Sequence, residues 1–420
     1  MRIKELVHPV KYREALISLS AKLFNRVKKF IPKFLLRFYH YCLALLGAVI
    51  FGFPGYNKNI KIIGVTGTNG KSTTVEFITK IFEEAKIPVA SQSSVRFKIK
   101  NKEWQNNLKM TMPGRFFIQN FLRQAIDNKC KYVILEVTSE GIKQNRHRFI
   151  NFDTVVFTNL TPEHIESHGG FENYKKAKGK LFKAKKNTHI INIDDKNSDY
   201  FLQFPAYKKI TYGKTKGDIN FQNANFKLQM KGDFNNYNAL SAICVGLNYD
   251  IDLSICRKAV ENLKGMPGRM EEVISDPFKV IVDYAFTPNA LEKVYQTFEG
   301  KNLICVLGSC GGGRDKWKRP VLGEIANKYC QEIFITNEDP YDENPMEIIN
   351  QVAKTAPKAK KILDRKEAIK RAIEIAKPGE VVIITGKGSE PLMCIENGKK
   401  ITWDDRQIVK DALNKIHPVK

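Results

Sequence analysis

The run Gly67-Thr68-Asn69-Gly70-Lys71-Ser72-Thr73-Thr74 sets two glycines, a lysine and several hydroxyls at a spacing suited to gripping phosphate. Glycines let successive backbone N–H groups converge on phosphate oxygens. A lysine supplies a point charge for β- and γ-phosphates, and the serine after it suits Mg²⁺. On that chemistry Gly67, Thr68, Asn69, Gly70, Lys71, Ser72 and Thr73 would cradle a nucleoside triphosphate, with Ser72 on the ion. Such a loop needs a strand before it and a helix after it. Ile60–Thr66 (IKIIGVT) is an apolar, β-branched run, and Ser72–Ala85 carries Val75, Ile78, Ile81 and Phe82 at helical spacing, so both are expected. The strict P-loop spacing is not met, because Val65 and not glycine stands five residues before Gly70.

Around this loop the chain alternates between strands and helices. Tyr132–Val137, Thr154–Thr158 and His189–Asn192 read as short buried strands with helical stretches between them, the pattern of a parallel sheet covered on both faces. Glycines and a proline break the chain at Lys264–Arg269 (KGMPGR), and a second alternating set follows. Its strands are Phe278–Tyr284, Leu303–Leu307, Glu332–Thr336 and Glu380–Thr385, and its helices Asn289–Phe298, Pro320–Tyr329, Pro345–Thr355 and Lys366–Ala376. The expected fold is α/β: a P-loop central domain on a parallel sheet (58–265), a smaller Rossmann-like C-terminal domain (266–420), and a helical N-terminal extension (1–57).

A chain of 420 residues can form two or three domains with real cores, and 43% hydrophobic with 27% charged content excludes wholesale disorder. The balance of 69 Lys+Arg against 44 Asp+Glu, net +25, draws polyanions: nucleic acid, an anionic membrane surface or phosphorylated substrates. No zinc-finger spacing, aromatic RNA-reading strand or basic heptad region accompanies it, so nucleic acid is not an expected partner. Lys22, Arg26, Lys28, Lys29, Lys33 and Arg37 lead into the uncharged run Phe38–Phe53, which carries His40. It is shorter than the roughly 20 apolar residues that span a bilayer. It reads either as a segment lying in the membrane interface or as a helix packed on the protein body. Cys42, Cys130, Cys244, Cys256, Cys305, Cys310, Cys330 and Cys394 are scattered without a CxxC pair and read as free thiols. With no signal peptide evident, the expected location is the cytoplasm.

The order of motifs along the chain carries a resemblance. Thr66–Thr74 (TGTNGKSTT) is the form of phosphate loop used by the Mur ligases and by folylpolyglutamate synthases. Glu136-Val137-Thr138-Ser139, Phe157–His168 (FTNLTPEHIESH), Phe171–Phe182 (FENYKKAKGKLF) and Gly232–Leu240 (GDFNNYNAL) follow in the Mur order. So do Gly268–Glu271 (GRME), Asp283–Pro288 (DYAFTP), Gly308–Arg319 (GSCGGGRDKWKR), Gly386–Glu390 (GKGSE) and Trp403–Arg406 (WDDR). From about residue 60 onward the chain resembles the Mur ligases, most nearly their tripeptide-synthetase type. The resemblance implies ATP and Mg²⁺, an acyl-phosphate intermediate, and an amide bond formed between an amino acid and a peptidoglycan precursor of the UDP-MurNAc-dipeptide kind. It implies Glu136 and His164 as metal ligands, Lys178 as a carbamylated lysine serving the metal, and Asn235 and Asn238 against adenine. Arg269 and Asp283 would complete the ATP site when the second domain closes. Thr111, Pro113 and Arg146, with Asp339, Pro340, Gly386 and Glu390, would meet the substrates. The protein is expected to work as a monomer on small molecules.

Taken singly, each of these residues has a plainer reading: a solvated glutamate at a strand end, a packed histidine, an exposed lysine in a Lys-rich helix, surface arginines at 146 and 148. Departures fall in the ligand pockets. Tyr341 stands where an arginine would fork onto a carboxylate, Ser389 and Phe286 replace histidines, and Glu140 stands where E-V-S-S-H places one. The basic, apolar lead of about sixty residues takes the place of the family's uridine-diphosphate-gripping domain. The alternatives are a ligase acting on a lipid-linked or folylpolyglutamate-type substrate, and a membrane- or nucleic-acid-associated ATPase.

Overall fold

A computed structural model describes residues 32–184 and 186–416. Lys22, Arg26, Lys28 and Lys29 of the basic lead lie outside them. The first sheet has nine strands: β1 (Lys61–Thr66), β2 (Val89–Gln92), β3 (Arg96–Ile99), β4 (Lys102–Gln105), β5 (Tyr132–Glu136), β6 (Thr154–Phe157), β7 (Thr188–Asn192), β8 (Lys208–Gly213) and β9 (Ile219–Asn220). Their order is β4-β3-β2-β5-β1-β6-β7-β8-β9, parallel except where β3 pairs with β2 and β4. The second sheet runs β10-β11-β15-β12-β13-β14, from β10 (Glu271–Ile274), β11 (Lys279–Asp283), β12 (Leu303–Leu307), β13 (Glu332–Thr336), β14 (Lys360–Ile362) and β15 (Val381–Thr385). Only β10 pairs antiparallel there. A hairpin of β16 (Leu392–Cys394) and β17 (Lys400–Thr402) stands apart.

The strands read as unbroken apolar runs because both faces of each sheet are covered. Successive side chains point to opposite faces. Ile63 and Val65 of β1 therefore enter one core with the helix Lys71–Glu84, while Ile62 enters another with Leu122 of the helix Arg115–Asp127. The second sheet divides Ile281 and Cys305 from Val280 and Ile304 in the same way. Helix starts follow local chemistry. Thr287 accepts from Ala290 N–H ahead of Pro288, and Asn344 caps the helix that Pro345 begins. A buried pair locks the C-terminal helix to the second sheet: Arg365 donates to both carboxylate oxygens of Asp405 (2.9 and 2.7 Å) and to Thr385 O (2.8 Å).

One expectation is changed. Cys305 and Cys330 form a disulfide, leaving six free cysteines, so the reading of eight free thiols is corrected. Parallel pairing of β12 with β13 sets the two Cα atoms 6.1 Å apart across a 25-residue separation, a proximity that spacing in the chain does not show. The apolar run near the N-terminus forms the helix Lys33–Ile50, packed on Arg115–Asp127. Among the described residues no helix is long and apolar enough to cross a membrane.

Replacing Asp405 with alanine leaves the Arg365 guanidinium buried without its carboxylate. It should lower the unfolding free energy by about 3–5 kcal/mol in chemical denaturation. A loss below about 1 kcal/mol, the value of an exposed pair, would contradict this burial.

Candidate functional site

The connection leaving β1 runs to β2 on one side of the sheet, while that leaving its neighbour β5 runs to β6 on the other, and this reversal of strand order opens a crevice at the strands' C-terminal ends. The phosphate loop occupies that crevice. Gly70 is left-handed (φ 81°), and a Cβ there would lie 2.2 Å from Asn238 Oδ1; only glycine lets the loop turn into the helix this close to Asn238. The loop is held from behind: Asn69 N–H donates to Asn159 Oδ1 (2.9 Å), and Thr158 Oγ1 donates to Asn69 O (2.8 Å).

Glu136, at the end of β5, is buried. Its Oε2 accepts from Ser72 Oγ and from Ser94 N–H, both at 2.8 Å. Lys71 Nζ donates to Thr68 O (2.8 Å) and lies 3.9 Å from Glu136 Oε1. Burial lowers the Lys71 pKa against the pull of Glu136. Lys178 is fully enclosed and donates to Gly67 O (2.7 Å). Burial holds its ammonium well below the usual lysine range, and Lys71 pushes the same way. His164 adopts a left-handed backbone (φ 57°). Burial, then Arg314, Lys178, Lys318 and Lys71, push it down to about 2, so its imidazole is neutral and free to offer a lone pair.

The second sheet brings its own strand ends to the same cavity, about 730 Å³ in volume. Asp283 ends β11. Both its oxygens are engaged, accepting from Met270 N–H (2.7 Å) and Ala285 N–H (2.6 Å). It thereby fixes the turn that carries Arg269, whose guanidinium stacks 4.2 Å from the Tyr284 ring centroid and donates to Ser94 Oγ (3.3 Å). Asp339, after β13, accepts from Lys387 Nζ (2.9 Å), Cys394 N–H (2.7 Å) and Lys109 Nζ (2.7 Å). Lys109 comes from the first sheet's side and also pairs with Glu390. The two units are therefore closed on one another. Lys318 Nζ meets Glu163 Oε1 at 2.8 Å with both side chains buried, and Asp315 accepts from Ile165 and Glu166 N–H at 3.0 Å each.

The cavity wall includes the whole phosphate loop, Glu136, His164, Lys178, Asn235, Asn238, Arg269 and Asp283, with Thr111, Arg146, Asp339, Gly386 and Glu390. Pro113 and Pro340 do not reach it; both are buried in the turns behind Met112 and Tyr341. Asn238 Nδ2 donates to Asn235 Oδ1 (3.2 Å), and Asn235 Nδ2 donates to Lys231 O (2.6 Å). Arg146 donates to Met112 O and to Gln144 Oε1 (2.8 Å), so it is a half-buried brace more than a free surface charge. Sequence reasoning missed Lys109, Ser94, Glu163 and Lys318. Glu163 directly precedes His164, and Lys318 lies inside Gly308–Arg319, so those two were within reach of the motifs.

The donor set fits a magnesium–phosphate complex. Among the described residues no three His, Cys, Asp or Glu side chains form a ready metal cage. Mg²⁺ does not need one, since it is bound through as few as one or two carboxylates and completes its shell largely with phosphate and water oxygens.

A model of the Mur ligase middle domain matches residues 65–246, and one of the Mur ligase glutamate ligase domain matches residues 268–388. The chain is 36% identical over 403 residues to the UDP-N-acetylmuramoyl-L-alanyl-D-glutamate--2,6-diaminopimelate ligase of Syntrophomonas wolfei subsp. wolfei, covering 88% of this chain and 81% of that one. It is 33% identical over 423 residues to the UDP-N-acetylmuramyl-tripeptide synthetase of Roseiflexus sp., covering 89% and 82%. A solved UDP-N-acetylmuramoyl-L-alanyl-D-glutamate--2,6-diaminopimelate ligase superposes with a TM-score of 0.57 at 29% identity, over 86% of this chain and 79% of that one. The folylpolyglutamate synthase of Mycobacterium tuberculosis, complexed with ADP and AMPPCP, gives 0.66 at 13% identity over 90% and 95%, a likeness of fold alone. This chain belongs to the Mur ligase family of ATP-dependent, amide-bond-forming ligases.

Proposed function

We propose that this protein joins one amino acid to a UDP-MurNAc-dipeptide-like peptidoglycan precursor, using residues 58–265 to hold ATP and residues 266–420 to close over it. The observation that carries this reading is the single cavity into which the phosphate loop and the strand ends of both sheets converge. A carboxylate has no leaving group an amine can displace. Transfer of the γ-phosphoryl group to a carboxylate oxygen of the acceptor forms an acyl phosphate and releases ADP. The amine then attacks the acyl carbon, phosphate departs with the C–O bonding electrons, and the attacking nitrogen loses a proton.

Lys71 and the loop N–H groups would bind and orient the β- and γ-phosphates, and Arg269 would add positive charge from the second unit as it closes. Ser72, Glu136 and His164 would hold Mg²⁺, which neutralises phosphate charge as the phosphoryl group moves. Asn235 and Asn238 would face the adenine. Because burial favours its neutral amine, Lys178 is suited to attack carbon dioxide, form an N–C bond and release a proton. The resulting carbamate would turn a buried cation into an anion beside the metal ligands. On the acceptor side Thr111 and Arg146 line the wall, while Asp339, Gly386 and Glu390 close the amino-acid end. The name of the Syntrophomonas wolfei relative specifies diaminopimelate, that of the Roseiflexus relative does not; here Tyr341 presents a phenol where a guanidinium fork would grip a carboxylate. The added amino acid is therefore the variable to be read out.

ADP release with UDP-MurNAc-L-Ala-D-Glu, Mg²⁺ and a panel of single amino acids should occur only when the acceptor and one particular amino acid are both present. Absence of release with every member would move the acceptor to a lipid-linked or folate-like molecule. Lys71→Ala should lower turnover at least about a hundred- to a thousandfold, the usual loss when a transition-state charge partner is removed; retained turnover would remove the phosphate-loop assignment. Lys178→Ala should be inactive yet partly rescued by added formate or acetate, whereas full activity in the variant would reduce Lys178 to packing.

A further inference from the structure

The helix Lys33–Ile50 is packed inside out. Its fully buried residues are the small Ala44 (2% exposed), Gly47 and Ala48 (0%), with Leu36, His40 and Leu43 half-buried beside them. Gly47 lies so close to the next helix that a Cβ there would meet the Arg115 and Phe116 backbone at 3.6 Å. Its large apolar residues face outward: Phe34 (69% exposed), Phe38 (66%), Leu45, Leu46, Val49 and Ile50 (58%). At 100° per residue these fall on one continuous face about half the helix circumference wide. A helix that contributed only to the core would bury its phenylalanines and leucines and expose its alanines. An apolar face of this extent marks an interaction surface.

A second observation says what covers it. Around the N-terminal half of the helix stand Arg37, Arg148, Lys180 and Lys183, all exposed. Arg37 is tied to the neighbouring loop, its carbonyl accepting from Asn145 Nδ2 (3.2 Å). After partial burial, the charges that lower the Lys180 pKa are Arg37, Lys183 and Arg148, with no carboxylate opposing them. The sequence immediately ahead adds Lys22, Arg26, Lys28 and Lys29. An outward apolar face rimmed by clustered cations is complementary to acyl chains beneath anionic headgroups. We propose that this face and the adjoining cations seat the protein on an anionic membrane surface. The helix lies along that surface and does not cross it, since its other side is already packed on Arg115–Asp127. That packing links the surface to the cavity, because Arg115 follows closely on Thr111 and Met112, which line the acceptor side.

Co-sedimentation of the purified full-length protein with vesicles tests this without any substrate, so its outcome is separate from that of the ligase assay. Phosphatidylglycerol-containing vesicles should bind the protein at least tenfold more strongly than pure phosphatidylcholine. The difference should shrink as salt screens the headgroups. Phe38→Glu/Leu46→Glu, at exposed positions, should lose at least tenfold in vesicle binding while ADP release in solution and melting temperature stay unchanged. Arg37→Glu/Lys183→Glu should weaken binding chiefly at low salt. Lack of vesicle binding by the parent protein, or unchanged binding by the Phe38/Leu46 variant, would overturn the proposal. A parent dimer that this variant splits, without vesicle binding, would assign the face to a second copy. A lowered melting temperature without vesicle binding would assign it to the chain's own residues.

Discussion

Two lysines enclosed beside one carboxylate set the terms for the first half of the structure. Lys71 in the phosphate loop and Lys178 behind it both have proton affinity lowered by burial; Glu136 opposes this in each case, joined at Lys71 by Glu163. Enclosing cations in excess of anions costs free energy unless an anion arrives or a charge is given up. On the proposed reaction polyphosphate would supply the anion for Lys71, and carbamylation would place a negative charge at Lys178 in place of an amine that burial keeps from holding a proton. The left-handed Gly70, the Ser72–Glu136–Ser94 hydrogen bonds and the Asn69 brackets keep this arrangement from relaxing in the meantime. The loop thus carries positive charge and dipoles already aimed at the place where phosphate charge must be met.

Closure by the second unit follows the same electrostatic logic. Lys109 reaches across to Asp339 and Glu390, Lys318 to Glu163, and Asp315 to the backbone of the segment that follows His164. These contacts join loops from strand ends of two sheets. They shut water away from a reactive acyl phosphate while leaving room for substrates. In Glu163, burial raises the carboxyl pKa while Lys318 pulls it down, so the pair is sensitive to how tightly the units meet. Arg269 is brought to the same cavity on a turn that Asp283 fixes through two backbone N–H groups. Asp283 therefore acts through the placement of Arg269, a role its position in the motif did not show.

Much of this was legible in the sequence because a parallel sheet covered on both faces leaves continuous apolar runs. β1, β5, β6, β11, β12, β13 and β15 were all found within a residue or two. Some of the strands that were missed carry the opposite signature, whereas the buried β2 (VASQ) was missed because its small and polar residues make no apolar run. Lys102–Gln105 is fully exposed, Lys208–Gly213 and Lys360–Ile362 begin with paired lysines, and all sit at or near sheet edges where charge discourages further pairing. The phosphate loop could be read directly because its chemistry is local. Lys109 and the Cys305–Cys330 pair could not, since each depends on segments brought together only by the fold.

Three of the four departures from the motifs, Tyr341, Phe286 and Ser389, line the cavity from the second unit, and each has its own contacts there. Tyr341 is left-handed (φ 53°), and a Cβ on Gly312 would come within 2.5 Å of its ring; ring and glycine are fitted to each other. Phe286 packs edge-on to Tyr284 (5.0 Å between centroids), and Lys318 Nζ lies 4.9 Å from the Phe286 centroid, so an aromatic face now shields the lysine that pairs with Glu163. Ser389, in place of a histidine, accepts from Gln105 Nε2 through its backbone carbonyl (3.0 Å), a bond its side chain does not determine. Around them Glu338, Asp339 and Glu390 are held by Cys310, Lys387 and Lys109. The scaffold that fixes the amino-acid end is thus intact, while the groups it presents have changed from basic and heterocyclic to phenolic, aromatic and hydroxyl. The phosphate loop and its supports keep the motif residues, while Tyr341, Phe286 and Ser389 in the same cavity wall depart from them.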